Sequence, residues 1–335
     1  MNRWPDPVVT ASLFADGHLD VLAARAIQPA MRAVSADPNS GPYLWLMRYG
    51  LGGDHWKIRF HGTEAEGEDF REALEMHAAK AFEALPAEPG DGRPVVSSVP
   101  IDVEDAELAE GERRPRGVLW TRYRRSHVSL SDPVLFQSDD YCASLTRALG
   151  FGSWALVDGL DPELEGSWRH GRRFGFLLKM VGDGLAEVGF KGAEREGYLR
   201  FHRNTLLRTS VPEAEAAAKI EESARVFDRR LDKMADGGAG LRKVARSRME
   251  PEPAVAGEAA PAGLWRGGLG DEFRRCIRDA ATAAAGEIAT FSDTPYFEPL
   301  FKILHGVSNQ IGLKTAEEAY VHHILLRACA PESSP

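Results

Sequence analysis

Cysteine is scarce in this chain, with three among 335 residues. Cys142, Cys276 and Cys329 lie far apart and form no CxxC pair. That argues against a disulfide framework or a cysteine zinc site and fits a reducing cytoplasm. No apolar run reaches the roughly eighteen residues a bilayer span needs, so a membrane protein is not expected. The N-terminus, Met1-Asn2-Arg3-Trp4-Pro5-Asp6-Pro7, has no apolar h-region, so neither is a secretory signal. The chain has no GxxxxGK[ST] phosphate loop, no HExxH, no G-x-S-x-G elbow and no GxGxxG after a strand. Nothing in it asks for ATP, a nicotinamide cofactor or a metal, so no cofactor is expected. Positive charge is also short: the net charge is −9, which disfavours a general nucleic-acid binder. No period of roughly 20–50 residues repeats, which excludes solenoids and propellers.

What is present is an ordinary globular composition, 43% hydrophobic and 27% charged, able to bury a core. One domain over 1–335 is expected. Leu19, Leu22, Ala26, Ile27 and Ala30 mark one face of a helix over 18–34. Two strands follow. Tyr43-Leu44-Trp45-Leu46-Met47-Arg48-Tyr49 and His55-Trp56-Lys57-Ile58-Arg59-Phe60-His61 flank a glycine turn and form a β-hairpin. A helix over about 66–85 carries Phe70, Leu74, Ala78 and Phe82 on one stripe. Strands are expected over 94–101 and 117–125, and helices over 131–149, 168–180 and 214–234. Residues 235–263 hold glycine, proline and alanine tracts that bury little, and read as a flexible insertion. Helices over 271–288, 296–311 and 315–328 close the chain. Gly312 stops the middle one, and Thr315 with Glu318 reads as a capping box. The fold class expected is α+β, a mixed or antiparallel sheet packed with helices.

Three groups of residues could carry chemistry. Strict alternation puts Trp56, Ile58 and Phe60 on one face of the second hairpin strand and His55, Lys57, Arg59 and His61 on the other. The simpler reading of the polar face is a solvated one. Two imidazoles between two fixed cations are unusual for solubility alone, and Lys57 and Arg59 would stabilise a carboxylate or an oxyanion developing on an amide oxygen. On the helix over 296–311, Phe301, His305, Ser308 and Gly312 follow helical spacing with Asn309 beside them, so His305, Ser308 and Asn309 share a surface. Histidine moves protons near neutral pH. From spacing alone, a core histidine bonded to a carbonyl, with Ser308 bonding back along the helix, is the simpler reading. Ser292, Asp293 and Thr294 suit capping of that helix. Tyr296, nine residues before His305, turns towards it only if Pro299 interrupts the helix. Finally, Arg113, Arg114, Arg116, Arg122, Arg124 and Arg125 cluster within thirteen residues of an acidic protein. They suit either a charged sheet edge or an acidic peptide held by bidentate pairs.

Two stretches resemble a known pattern. Trp45-Leu46-Met47-Arg48-Tyr49, a glycine turn and His55-Trp56-Lys57-Ile58-Arg59-Phe60 resemble the "W-x-x-R-Y … H-L-R-x-R-F" hairpin of the thiopeptide-type bacteriocin biosynthesis family. That family includes the C-terminal elimination domain of lantibiotic dehydratases. His305-Gly306-Val307-Ser308-Asn309-Gln310-Ile311-Gly312, followed by Glu317-Glu318-Ala319, resembles its "H-M-x-x-N-R-L-G" helix, and Trp4 with Ile27-Gln28-Pro29 fits its opening. The likeness touches both ends of the chain.

The resemblance implies an elimination-domain-like fold. It implies functional roles for Lys57 and Arg59 as the basic hairpin pair and for His305 as the catalytic histidine. Ser126 stands where elimination members carry Glu, and Gln310 replaces an Arg. With no glutamylation domain ahead of it, the chain resembles the stand-alone pyridine synthases of thiopeptide pathways. These join two dehydroalanines of a leader-bearing azole peptide by a formal aza-Diels–Alder reaction, then lose water and leader. His305 with Ser308 or Tyr296 would move the protons. Trp56, Trp120 or Phe301 would stack on azoles, and His55, Asn309 and Gln310 would line the site. Arg122, Arg124 and Arg125 would hold the leader. The partner implied is the azole- and dehydroalanine-bearing precursor peptide, with other enzymes of the pathway; nucleic acid and membrane are not. The alternatives are a stand-alone glutamate-elimination enzyme and a non-catalytic leader-binding scaffold.

Overall fold

The computed structural model describes residues 7–15, 17–34, 43–49, 54–86, 95–96, 116–121, 147–150, 152–154, 156, 170–208, 211–234, 238–249, 275–279, 282 and 296–329. The chain divides into two compact units. Met1–Arg169 with Leu264–Cys276 forms the first, and His170–Gly263 with Ile277–Pro335 the second. The sequence reading expected one domain over 1–335. Among the described residues no helix is long and apolar enough to cross a membrane.

The first unit is built on a sheet. Strand β1 (Val9–Phe14) precedes helices α1 (Leu19–Leu22) and α2 (Gln28–Val34), joined by a π-helical turn, Ala23–Ile27. The helical run matches the expected 18–34. Its π turn sits just ahead of Pro29, which has no N–H to give the ladder. The hairpin follows as β2 (Tyr43–Tyr49) and β3 (His55–His61). Helix α3 (Glu64–Ala84) starts on a full capping box: Glu66 N–H donates to Thr63 Oγ1, and Thr63 N–H donates to Glu66 Oε2. Strands β4 (Val95–Val96) and β5 (Gly117–Thr121) complete the sheet.

Strand order is β2-β3-β1-β5-β4, antiparallel except for the β4–β5 pair. The apolar face is core. Trp56, Ile58 and Phe60 are fully buried, Phe60 stacks on Phe70 of α3 at 4.7 Å, and Trp56 Nε1 donates to the Leu19 carbonyl at 2.7 Å. Ser153 pins the outer strand by accepting from Leu46 N–H and donating to the Leu149 carbonyl.

The second unit is helical: α4 (His170–Glu187), α5 (Gly192–Arg208), α6 (Glu213–Asp232), α7 (Ala239–Met249), α8 (Phe297–Gln310) and α9 (Thr315–Cys329). Helix α5 has no counterpart in the sequence reading. Its inward stripe is Tyr198, Leu199, His202, Arg203, Leu206 and Leu207, which is helically spaced but interrupted by a histidine and an arginine. Helix α7 lies inside 235–263, so the flexible reading fails for those residues. Ala245 and Met249 are buried, an anchor that a composition argument overlooks.

Helix α9 packs against α4, α5, α6, α7 and, through its side chains, α8. His323 ties three helices together: Arg203 Nη1 donates to its Nδ1 at 3.1 Å, and its Nε2 donates to Asp228 at 3.0 Å. Gly312, at φ +75°, closes α8. The Leu313 N–H returns to the Ser308 carbonyl at 3.1 Å, a Schellman end that starts the chain back towards α9.

Candidate active site

The short Gly312 turn lays α9 back along α8, so residues thirteen apart meet. His305 Nδ1 lies 2.8 Å from Glu318 Oε2. Glu318 is buried, and its other oxygen, Oε1, lies 2.7 Å from Nε2 of His202 on α5. A buried carboxylate needs hydrogen bonds to stay ionised. Burial raises the Glu318 pKa, but the two imidazole donors outweigh it and hold the carboxyl well below the usual carboxylate range.

An ionised carboxylate only accepts. His202 therefore carries its proton on Nε2 and His305 on Nδ1, an assignment made from the partners. Beyond His202, the Tyr198 hydroxyl lies 2.9 Å from Nδ1. A second ring, His322, stacks on His202 at 3.7 Å and donates from Nδ1 to the Glu318 carbonyl at 3.0 Å. Burial pushes His322 down to about 3, with His202 adding to the fall, so it is neutral.

His305 is the surface end of this cluster. Its side chain is 35% exposed, while those of Glu318 and His202 are at most 1% exposed. Burial lowers the His305 pKa, but the hydrogen bond and charge of Glu318 outweigh that loss and raise it above the ordinary imidazole value. For His202 burial wins over the same carboxylate, and the pKa falls. One carboxylate thus serves two histidines of opposite character. Phe301, one turn before His305, lies nearly parallel to its ring at 5.5 Å and also touches His202 at 4.6 Å.

Several expectations change here. Ser308 does not share the His305 surface: it is fully buried, and its Oγ has no partner among the described residues, so it neither faces a cleft nor bonds back along the helix. Asn309 is half-buried and Gln310 buried. Tyr296 is the N-cap residue of a helix that runs unbroken through Pro299, because that proline sits in the first turn where its N–H is not needed. Nine residues at about 100° each place Tyr296 on the side opposite His305, outside the cluster. The Thr315–Glu318 capping box does not form: the first turn is closed one residue earlier by the Glu317 carboxylate alone, which accepts from Lys314 N–H at 2.8 Å. That error hid Glu318. The signal available was a second Glu beside the capping Glu, one turn ahead of His322, on the face α9 turns inward.

In the first unit, the polar face of β3 is not solvated. His55, Lys57 and His61 are buried, Lys57 at 7% exposure, and Arg59 is half-buried with its guanidinium 4.4 Å over the Trp45 ring. Trp56 and Trp120 are core residues with their indole N–H groups bonded to Leu19 and Glu75, which removes both as stacking surfaces for azoles. Arg116 is buried too and donates to the Pro86 carbonyl at 2.6 Å, so it belongs to no open basic edge. Arg113, Arg114, Arg122, Arg124, Arg125, Ser126 and 292–294 lie outside the described residues, as do Cys142 and most of the helices expected over 131–149 and 271–288.

No protein-family model matches the sequence, and no curated protein is similar to it. Solved structures are. The pyridine synthase TbtD, from thiomuracin biosynthesis, superposes with a TM-score of 0.62 over 98% of this chain and 97% of that one, at 15% identity. This chain shares the fold of TbtD. A tRNA-dependent lantibiotic dehydratase, MibB from Microbispora sp. 107891, matches 96% of this chain but 27% of its own length, with a TM-score of 0.42 and 14% identity. The expected α+β class is the one found.

Proposed function

We propose that this protein is a thiopeptide pyridine synthase. It joins two dehydroalanines of a leader-bearing azole peptide and expels water and the leader. The observation that carries the reading is the half-exposed His305 held by the buried Glu318 at 2.8 Å. The TbtD fold across nearly the whole chain supports it.

The reaction begins when one backbone amide becomes its iminol, giving the 2-azadiene. The amide nitrogen loses a proton and the oxygen gains one. With Nδ1–H tied to Glu318, Nε2 of His305 is the atom left to take the first proton and return it to the oxygen. The developing imidazolium is stabilised by the carboxylate behind it. The two terminal carbons of the azadiene then form two carbon–carbon bonds with the alkene carbons of the second dehydroalanine, the ring nitrogen keeping the two bonds it already has. Holding two parts of one peptide in contact supplies effective molarity of roughly 7–11 kcal/mol. Loss of water and then of the leader amide follows, His305 taking a proton from the ring in each elimination and passing it to the leaving oxygen or nitrogen, and the aromatic pyridine is left. Phe301, beside His305, is the aromatic surface offered to a flat azole. Lys57 and Arg59 remain the cations implied for peptide or charge stabilisation, and Arg122, Arg124 and Arg125 the implied leader contacts.

Two defined peptides test the reading by mass spectrometry. A bis-dehydroalanine azole peptide converted to macrocycle and free leader supports it. Glutamate loss from a glutamylated peptide, without ring formation, replaces it with the elimination reaction. Binding of leader without either product leaves a scaffold.

A further inference from the structure

The half-exposed end of the cluster continues along the seam between α5 and α8. Phe297, Phe301 and His305 follow one another at steps of four on α8, and Phe201 of α5 stands between the first two. Ring centroids lie 5.5 Å apart from Phe297 to Phe201, 6.0 Å from Phe201 to Phe301 and 5.5 Å from Phe301 to His305. All three phenylalanines are half-buried. Their inner sides are packed. Phe297 stands edge-on to Tyr198 and to Phe190 at 5.4 Å each, and Phe301 touches His202 at 4.6 Å. Gly197, one turn before Phe201, brings the α5 backbone under the Phe297 ring, whose nearest atom lies 3.5 Å from where a Cβ would stand.

We propose that Phe297, Phe201 and Phe301 form an azole-binding strip that leads the modified peptide up to His305. This rests on the azole-bearing substrate proposed above, and it adds Phe201 and Phe297 as residues that set specificity. The strip is continuous with the candidate active site, since Phe301 belongs to both.

The chemistry of the rings selects the occupant. A phenyl ring offers no hydrogen-bond donor or acceptor of ordinary strength. An unmodified peptide laid on it would strip water from amide N–H and carbonyl groups and gain nothing in return. In an azole, a cysteine or serine side chain has closed on the preceding carbonyl. The N–H and carbonyl of that amide are gone, and a flat aromatic face stands in their place. Such a face gains from offset or edge-on contact with phenyl rings. The length fits as well. Eight residues of helix from Phe297 to His305 rise about 12 Å, which an extended peptide covers in roughly three or four residues. That leaves room for more than one azole ahead of the reacting residues. Because the inner sides of the rings are already packed, little rotamer freedom is lost on binding.

The test is a fluorescence-anisotropy titration of the full chain with two labelled peptides that share one leader. The first carries thiazoles and has alanine in place of both dehydroalanines, so it cannot react. The second is identical except that each thiazole is an unmodified serine residue. The native chain should bind the thiazole peptide roughly tenfold or more tighter than the serine one. F201L and F297L should each weaken the thiazole peptide roughly three- to tenfold and leave the serine peptide unchanged. F201Y keeps a ring and should bind as the native chain does. Thermal unfolding of each variant checks the fold, and F297L carries the comparison should F201L not fold. A native chain that holds both peptides alike overturns the proposal with no variant needed. So does a thiazole peptide bound equally by the native chain, F201L and F297L. Neither peptide can form a ring, so discrimination without ring formation from a reactive substrate would keep the strip and remove the cyclisation reading. Ring formation without discrimination would remove the strip alone.

Discussion

His305 Nδ1 and Glu318 Oε2 meet at 2.8 Å across a helix–turn–helix, one ring half in solvent and the carboxylate sealed behind it. The pairing sets tautomer, orientation and basicity of a single exposed nitrogen. Replacing His305 by Ala should cut the rate of product formation by roughly 10²-fold or more, the range of general acid–base catalysis. Thermal unfolding alongside the assay checks that the fold survives.

Glu318→Gln removes the charge and keeps the shape. The His305 pKa should then fall, and the acid limb of the pH–rate profile should move to lower pH. The sign for stability follows from the raised native value. His305 contributes stability that is complete below the ordinary imidazole pKa and is lost as pH rises through its raised native pKa. Urea melts across the neutral to alkaline range should show that loss in the native chain and a smaller one in E318Q.

His322 runs the other way. Its native pKa is depressed to about 3, so the unfolded chain binds its proton first. Stability should fall as pH drops below the unfolded imidazole value, by at most about 1.4 kcal/mol per pH unit for this one group. His322→Phe keeps the stack on His202 and should flatten that acid limb. Equal slopes in the two proteins would remove His322 from the balance.

Ser308→Ala should be neutral or mildly stabilising, because a buried hydroxyl without a partner is replaced by a methyl group. Activity should not change. A large activity loss would return Ser308 to the proton chemistry that its spacing first suggested.

The hairpin and the terminal helices were legible because alternation and helical spacing survive where one face is apolar. The fold was legible too, from two motifs that sit on β2–β3 and α8. The site was half legible. His305 stood out by residue type, but Glu318 and His202 did not. Glu318 looked like a capping residue because Glu317 and Glu318 are adjacent and it is Glu317 that caps. His202 sits on a helix whose buried stripe includes charged and polar residues, so the periodicity that finds core helices missed α5 altogether. Conversely, the polar side of β3 read as solvated although His55, Lys57 and His61 are buried, since alternation reports which residues share a face and not what covers it.

The most direct test follows ring formation itself. A synthetic leader-bearing azole peptide with two dehydroalanines is incubated with the native chain, H305A and E318Q, and free leader and macrocycle are timed by mass spectrometry. We expect equimolar macrocycle and leader from the native chain, and at least a roughly 10²-fold slower reaction from H305A. Native protein that leaves the peptide intact, or H305A that matches the native rate, would contradict the assignment.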